Sequence, residues 1–292
     1  MFVQQSYRMD QGGCLYLVPT PIGNLQDMTY RAVDVLKNAD VIAAEDTRHT
    51  KKLCHFFSID TPLISYHEHN KREREDQLVD RAIAGETIAL VSDAGMPAIS
   101  DPGADLVARF TKEELPVIAL PGANAALTAL VVSALSTKNF TFVGFLDRKK
   151  KEKKESLERW RLNESTLLFY EAPHRIKETL QAILEVMGNR QIALCREITK
   201  QYETILRGTT EEVLNYIEAE GIKGECVLVL DGATEEMIQS AAEEEWWKSL
   251  SIVEHVNTYV EQKGMDSKEA IKTVAKDRGL KKRDVYQTYH IE

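Results

Sequence analysis

The sequence predicts an α/β fold, with two consecutive α/β domains followed by a small helical domain. Three observations lead there. In the first half, short apolar runs alternate with amphipathic helical patterns, which is the signature of βαβ units and a mainly parallel sheet. In the second half, residues 195–199 and 202–208 are strand-like and too close for a helix to intervene, so an antiparallel pair and a mixed sheet are expected. After Gly232 the strand-like runs stop and short helical patterns take over.

In chain order, residues 1–13 are polar and read as a loose tail, with no apolar centre of a signal peptide. Strands are expected at 14–18, 41–44, 63–66, 88–92 and 117–120. Helices are expected at 29–37, 47–57, 70–84, 101–111 and 125–135. Asp101 before Pro102 has the form of an N-cap followed by a first-turn proline. These elements make up an N-terminal α/β domain over 14–136. Strands at 140–145, 166–170, 192–196, 203–207 and 226–230 build the second domain, 137–233. The acidic Glu243-Glu244-Glu245 run reads as a linker opening a C-terminal domain, 234–292, of helix-turn-helix size. Its helices are expected at 252–262, 267–278 and 281–289, with Ser267 as a cap. Ala270, Ile271, Val274 and Ala275 share one face, to be packed by Leu280, Val285 and Tyr289.

Composition narrows the class. A hydrophobic fraction of 43% with 28% charged residues excludes a membrane protein. The uncharged stretch 115–137 is long enough to cross a bilayer, but Pro121-Gly122 and Asn124 divide it into a strand and a buried helix. Cys14, Cys54, Cys195 and Cys226 are widely separated, with no metal-ligand spacing. They fit reduced thiols in a cytoplasmic protein. No metal site is expected.

Four groups of segments beside expected strands, the last of them made of three segments in the second half, are candidates for chemistry. Val18-Pro19-Thr20-Pro21-Ile22-Gly23-Asn24 is a stiff loop after the first strand, at the edge where α/β sheets bind ligands. It is not a GxGxxG dinucleotide fingerprint. Glu45-Asp46-Thr47-Arg48-His49 gathers charge after the second strand, although Asp46 or Thr47 also suits a helix cap. Ser92-Asp93-Ala94-Gly95-Met96-Pro97, continuing to Asp101, has the small residues that let backbone reach a ligand. Tyr170-Glu171-Ala172-Pro173, Arg196-Glu197-Ile198-Thr199-Lys200 and Lys223-Gly224-Glu225 place charge at strand ends facing an interdomain cleft.

These segments, in this order, resemble the tetrapyrrole-methylase superfamily. Within it they resemble the small-subunit rRNA (cytidine-2′-O)-methyltransferase family, through PTPIGNLQDMTYRA, AEDTRHTKKL, SDAGMPAISDPG, LPGANAALTAL, EAPHRI and REITKQYE. Glu171-Ala172-Pro173 stands where that family often has Glu-Ser-Pro. The resemblance implies S-adenosylmethionine as donor in a cleft between two α/β domains, in a homodimer. It implies donor contacts at Pro21, Ser92, Asp93, Ala94, Gly95, Pro97, Asn124, Ala125, Tyr170, Glu171, Arg196, Gly224 and Glu225. The implied substrate is a cytidine ribose in the decoding region of 16S rRNA, within the 30S subunit.

A ribose 2′-hydroxyl is a weak nucleophile and needs a base or acceptor beside it. Glu45, Asp46, Asp93, Glu197 and Lys200 are the candidates, the lysine only with a depressed pKa. RNA also needs cations. Residues 147–161 and 263–284 each hold eight basic against four acidic residues, in a chain of net charge -9. Arg148, Lys149, Lys150, Lys151, Lys281, Lys282 and Arg283 are the expected phosphate contacts. Either run alone also suits a solvated helix face. Two competing readings remain. A tetrapyrrole C-methyltransferase would need neither basic run, and a non-catalytic RNA-binding assembly protein would bind no donor.

Overall fold

The computed structural model describes residues 1–6, 13–244 and 246–291. Residues 1–232 form one compact unit and residues 233–292 another.

The first unit opens with a parallel sheet in the order β3-β2-β4-β1-β5. Its strands are β1 (Cys14–Leu17), β2 (Val41–Ala44), β3 (Leu63–Ser65), β4 (Thr87–Val91) and β5 (Val117–Ala119). Four helices connect them: α1 (Tyr30–Asn38), α2 (Thr47–Phe56), α3 (Lys71–Ile83) and α4 (Ala104–Lys112). The alternation of side chains along a strand decides which helices cover which face. Ile42, Ala44, Ala89 and Val91 pack with Ala32 and Leu36 of α1 and Cys54 of α2. Val41, Ala43, Ile88 and Leu90 pack with Leu78 and Val79 of α3 and Leu106 and Phe110 of α4. Burial on both faces is why β2 and β4 read as continuous apolar runs.

Helix α5 (Ala125–Val132) precedes the second sheet but packs against it, through Ala126, Ala129 and Leu130. The remaining strands are β6 (Phe140–Phe145), β7 (Thr166–Glu171), β8 (Gln191–Arg196), β9 (Thr204–Thr209) and β10 (Cys226–Leu230), in the order β6-β7-β10-β8-β9. Only β6 and β7 run parallel; β8 and β9 form the expected antiparallel pair, Cys195 opposite Ile205. The opposite face carries α6 (Lys150–Trp160), α7 (Ile176–Met187) and α8 (Thr210–Glu220), packed on Leu167, Phe169, Ile192 and Leu194.

The second unit contains α9 (Glu235–Glu244), α10 (Ile252–Glu261), α11 (Ser267–Asp277) and α12 (Lys282–Ile291). Val256, Ala270, Ile271, Val274 and Val285 form its core. His255 is buried there, accepting from Arg278 at Nδ1 (3.1 Å), and burial, with the Arg278 charge adding to it, holds it down to about 4.

Several expectations are corrected. Glu243 and Glu244 belong to α9 rather than to a linker, and Glu245 lies outside the described residues. Asp266, not Ser267, caps α11, accepting from the Lys268 amide. Leu280 is 41% exposed and is no core partner. Helix α4 starts at Ala104 because Gly103, at φ 144°, makes the entry bend, so Asp101 is not its cap. At the N-terminus the tail is tied down among the described residues: the Gln4 amide exchanges two hydrogen bonds with the backbone of Val117 on edge strand β5, both 2.9 Å, and the Gly13 amide donates to the Ala82 carbonyl at 3.1 Å.

The stretch 115–137 is divided between β5 and α5, and among the described residues no helix is long and apolar enough to cross a membrane.

Candidate functional site

The carboxyl ends of β1, β2 and β4, the N-terminus of α5, the carboxyl ends of β6, β7 and β8 and the start of β10 surround one cavity of about 440 Å³. That edge follows from topology, because β10 runs antiparallel to β7 and β8 and so begins where they end. The size is in the range of small-molecule sites.

The first sheet contributes two loops that brace each other. Thr20 and Gly95 exchange backbone hydrogen bonds of 3.0 and 2.9 Å, and the Thr20 hydroxyl donates to the Ser92 carbonyl at 3.2 Å. The loop after β4 is held in uncommon backbone conformations: Gly95 (φ 81°), Ala98 (φ 67°) and Ser100 (φ 64°). Such strain persists only where the surroundings impose it, and it concentrates at ligand sites. Here it turns Asp93, Ala94, Gly95, Met96, Ile99, Ser100 and Asp101 to the cavity.

Glu45, the residue after β2, faces the same space, and Asp93 is steadied by the Asp46 amide, which donates to its Oδ1 at 3.1 Å. Burial raises the Glu45 carboxyl, and the nearby charges of Asp101 and Asp93 raise it further. Asp101 is raised as well, by burial first, against a hydrogen bond from Ser92. Glu45 and Asp101 therefore ionise less easily than in water, crowded beside Asp93 in a half-buried pocket.

The second sheet supplies an aromatic wall and two ion-pair clusters. Tyr170 accepts from the Ala126 amide at 3.3 Å and meets Phe142 and Phe145 edge-on, at 5.0 and 5.6 Å. Burial raises its phenol. Glu171 is buried and fully partnered. It accepts from the Ala172 amide (2.9 Å) and the Thr179 hydroxyl (2.6 Å), and it pairs with Arg175 at 3.3 Å. The Lys153 ammonium, with no exposed surface, donates to that same Thr179 hydroxyl at 3.2 Å.

On the far side Lys200 bridges Glu197 (3.0 Å) and Glu225 (2.8 Å). Gly224 makes this approach possible, because it sits at φ 88° and any Cβ there would overlap the Glu197 side chain. Burial works against the charge on Glu197, but hydrogen bonds from Lys200 and the Glu225 amide outweigh it and lower the carboxyl. Lys200 is raised by the same pairs, against burial. A raised lysine is a poor base, and a lowered carboxyl is a weak one.

Of the residues expected from sequence, Glu45, Asp93, Ala94, Gly95, Asn124, Ala125, Tyr170, Glu171, Glu197, Lys200 and Glu225 line the cavity. Ser92 and Pro97 are buried behind it, and Pro21 and Gly224 stand beside its lining. Asp46 does not line it. Its carboxylate caps α2 and pairs with Arg48 at 2.7 Å, which holds it well below the usual range. Arg196 also faces away: it follows Cys195 on β8, and successive strand residues point to opposite faces. Asp101, which the sequence leaves open between a ligand contact and a helix cap, lines the cavity as well. Ile22, Met96, Ile99 and Phe145 also join the lining. Their signal was only position, at or just past strand ends. Among the described residues no group of three or more His, Cys, Asp and Glu is placed to hold a metal.

The basic runs are thinner at the surface than in the sequence. Arg148, Lys149, Lys150 and Lys151 are exposed, but Lys153 is buried. In the second unit Lys281, Lys282 and Arg283 are exposed, whereas Arg278 is bonded to His255 and to the carbonyls of Trp247 and Leu250.

Residues 14–214 match the family described as Tetrapyrrole (Corrin/Porphyrin) Methylases. The chain is 55% identical to a Bacillus subtilis protein named ribosomal RNA small subunit methyltransferase I, over 96% of this chain and 95% of that one. It is also 55% identical to the protein of that name from Halalkalibacterium halodurans, over the whole of both. The chain belongs to the tetrapyrrole methylase family, in its small-subunit rRNA methyltransferase I branch. Solved structures of the same fold include a uroporphyrin-III-C-methyltransferase from Thermus thermophilus (TM-score 0.55, 19% identity, 80% of this chain and 98% of that one). A diphthine synthase is similar at TM-score 0.59 and 14% identity, covering 79% of this chain and 95% of that one. In this tetrapyrrole methylase the family match ends within α8, before β10 and the whole of the second unit.

Proposed function

We propose that the chain methylates the 2′-hydroxyl of a cytidine ribose in the decoding region of small-subunit rRNA, with S-adenosylmethionine as donor. The observation that carries the donor assignment is the charge of the cavity, whose lining holds six carboxylates and a single lysine. S-adenosylmethionine bears a sulfonium and an ammonium, so an acidic, half-buried lining suits it, and the apolar side chains of Ile22, Met96 and Ile99 suit its adenine. Gly95, Asn124, Ala125, Tyr170 and Glu225 would hold it, together with Asp93 and Glu171. When bound, it supplies the methyl group as an electrophile. The substrate follows from the full-length likeness to relatives named as small-subunit rRNA methyltransferases.

Glu45 is the residue best suited to take the 2′-hydroxyl proton. Among the earlier candidates, Asp46 is committed to a helix cap, and Glu197 and Lys200 neutralise each other. Asp93 accepts the Asp46 amide and shapes the loop. Glu45 has a raised pKa and a carboxylate open to the cavity, as a base working near neutrality requires. This reading makes the protein a cytoplasmic partner of the 30S subunit, and we expect a homodimer in solution.

Incubation with labelled donor and 30S subunits, naked 16S rRNA or a uroporphyrinogen tests the assignment. Label entering RNA and not the macrocycle is expected. Label in the macrocycle alone would favour the tetrapyrrole alternative, and no donor binding by calorimetry would favour the assembly protein.

The cations carry two further expectations. Reversing Arg148 and Lys150 to glutamate should weaken RNA binding and flatten its dependence on log salt by about 1.4, since each single-strand phosphate contact contributes about 0.7. Removing residues 233–292, a separate compact unit, should weaken RNA binding while leaving donor affinity within about two-fold. Filter binding across a salt series and calorimetry read both.

A further inference from the structure

A second cavity of about 450 Å³ lies on the other face of the mixed sheet, between β8, β9 and α8. Leu194, Leu206, Ile217 and Ile222 form its floor, Thr204 offers a hydroxyl, and Tyr216 stands at its side with 47% of its surface exposed. Its charged groups are Arg196, Lys223 and, against them, Glu220.

Arg196 is braced for its position. Its Nε donates to the Lys223 carbonyl and its Nη1 to the Tyr202 carbonyl and the Thr204 hydroxyl, both at 3.3 Å. Its Nη2 has no partner among the described residues, so a fixed guanidinium keeps donors to spare. The two cavities share a strand end and a turn: Cys195 and Glu197 line the first and Arg196 the second, while Glu225 lines the first and Lys223 the second.

The difference in charge gives this adjacency a meaning. The donor cavity is lined by carboxylates and repels phosphate, so an RNA strand that presents one ribose there must be anchored by cations just outside it. Arg196 and Lys223 are cations at that position, and an aromatic face beside two cations is how single strands are held: the base stacks and the phosphate pairs.

We propose that this cavity is a subsite for a nucleotide flanking the methylated one. Its base stacks on Tyr216 and its phosphate is held by Lys223 and the free donors of Arg196. The proposal rests on the RNA reading above, and its test separates the two. A fluorescent single-stranded oligoribonucleotide of decoding-region sequence is titrated with the full chain and with Tyr216→Ala, Tyr216→Phe and Lys223→Ala, and donor affinity is measured in parallel. Tyr216→Ala should weaken oligonucleotide binding about ten-fold, Tyr216→Phe should restore it, and Lys223→Ala should reduce the salt slope by about 0.7. Donor affinity should not change in any of them.

Oligonucleotide binding that is absent in the wild type, or indifferent to Tyr216 and Lys223, overturns the subsite. Binding that depends on both residues without any methyl transfer to RNA would instead overturn the RNA-methylation reading, and with it the flanking role, while leaving a single-strand binding site at Tyr216 and Lys223.

Discussion

Glu45→Gln should lower the turnover number by about two orders of magnitude or more, the range expected for loss of a general base. Donor affinity should fall far less, because the amide keeps the shape and the other five carboxylates of the lining stay in place. The pH profile gives a sharper check. Burial and the charges of Asp101 and Asp93 raise Glu45, so its basic form, and the rate, appear only above a pH higher than an ordinary glutamate would need. Asp101→Asn removes one of the raising charges. The pKa of Glu45 then falls, and the acidic limb of the rate profile moves to lower pH. A limb that stays where it was, or an active Glu45→Gln protein, would transfer the role to another group.

Glu171→Ala should be a severely destabilising change at the site. The side chain is 1% exposed and its two oxygens serve an amide, a hydroxyl and a guanidinium, with buried Lys153 one bond further on. Removing one partner of a buried charge network costs about 3–5 kcal/mol. Arg175 keeps the carbonyls of Leu146 and Asp147, so the lower end applies. At about 2–4 °C per kcal/mol for a unit of this size, the melting temperature should fall by roughly 10 °C. Glu171→Gln retains an acceptor for Thr179 and should lose about half as much. Thermal unfolding followed by circular dichroism measures this, and an unchanged midpoint for Glu171→Ala would mean the network contributes nothing.

The architecture was legible because both sheets follow elementary patterns. Apolar runs between amphipathic helices can be buried only as parallel strands, and the short 195–208 interval forces a hairpin. In the C-terminal unit α11 was legible from Ala270, Ile271, Val274 and Ala275 on one face, whereas α9 was not, its acidic Glu243 and Glu244 reading as a linker. Side-chain direction was harder. Lys153 was counted among the surface cations, yet Lys153, Ser156, Leu157 and Trp160 stand at i, i+3, i+4 and i+7, so the buried face of α6 was written in the spacing. Arg196 was grouped with its strand end, although period-two alternation separates it from Cys195. Asp101 had the form of a cap, and only the backbone at Ala98, Ser100 and Gly103 reveals that the chain turns it inward. A sequence pattern does not encode such left-handed residues, because Ala and Ser adopt them only under tertiary constraint.

The assignment of a ribose hydroxyl as methyl acceptor is tested most directly by the chemical position of the transferred group. After incubation of 30S subunits with labelled S-adenosylmethionine and the protein, the rRNA is digested to nucleosides and resolved by mass spectrometry. The account predicts label in 2′-O-methylcytidine, absent when Glu45→Gln replaces the wild type. Label on a nucleobase, or none in RNA while a macrocycle is methylated, would contradict it.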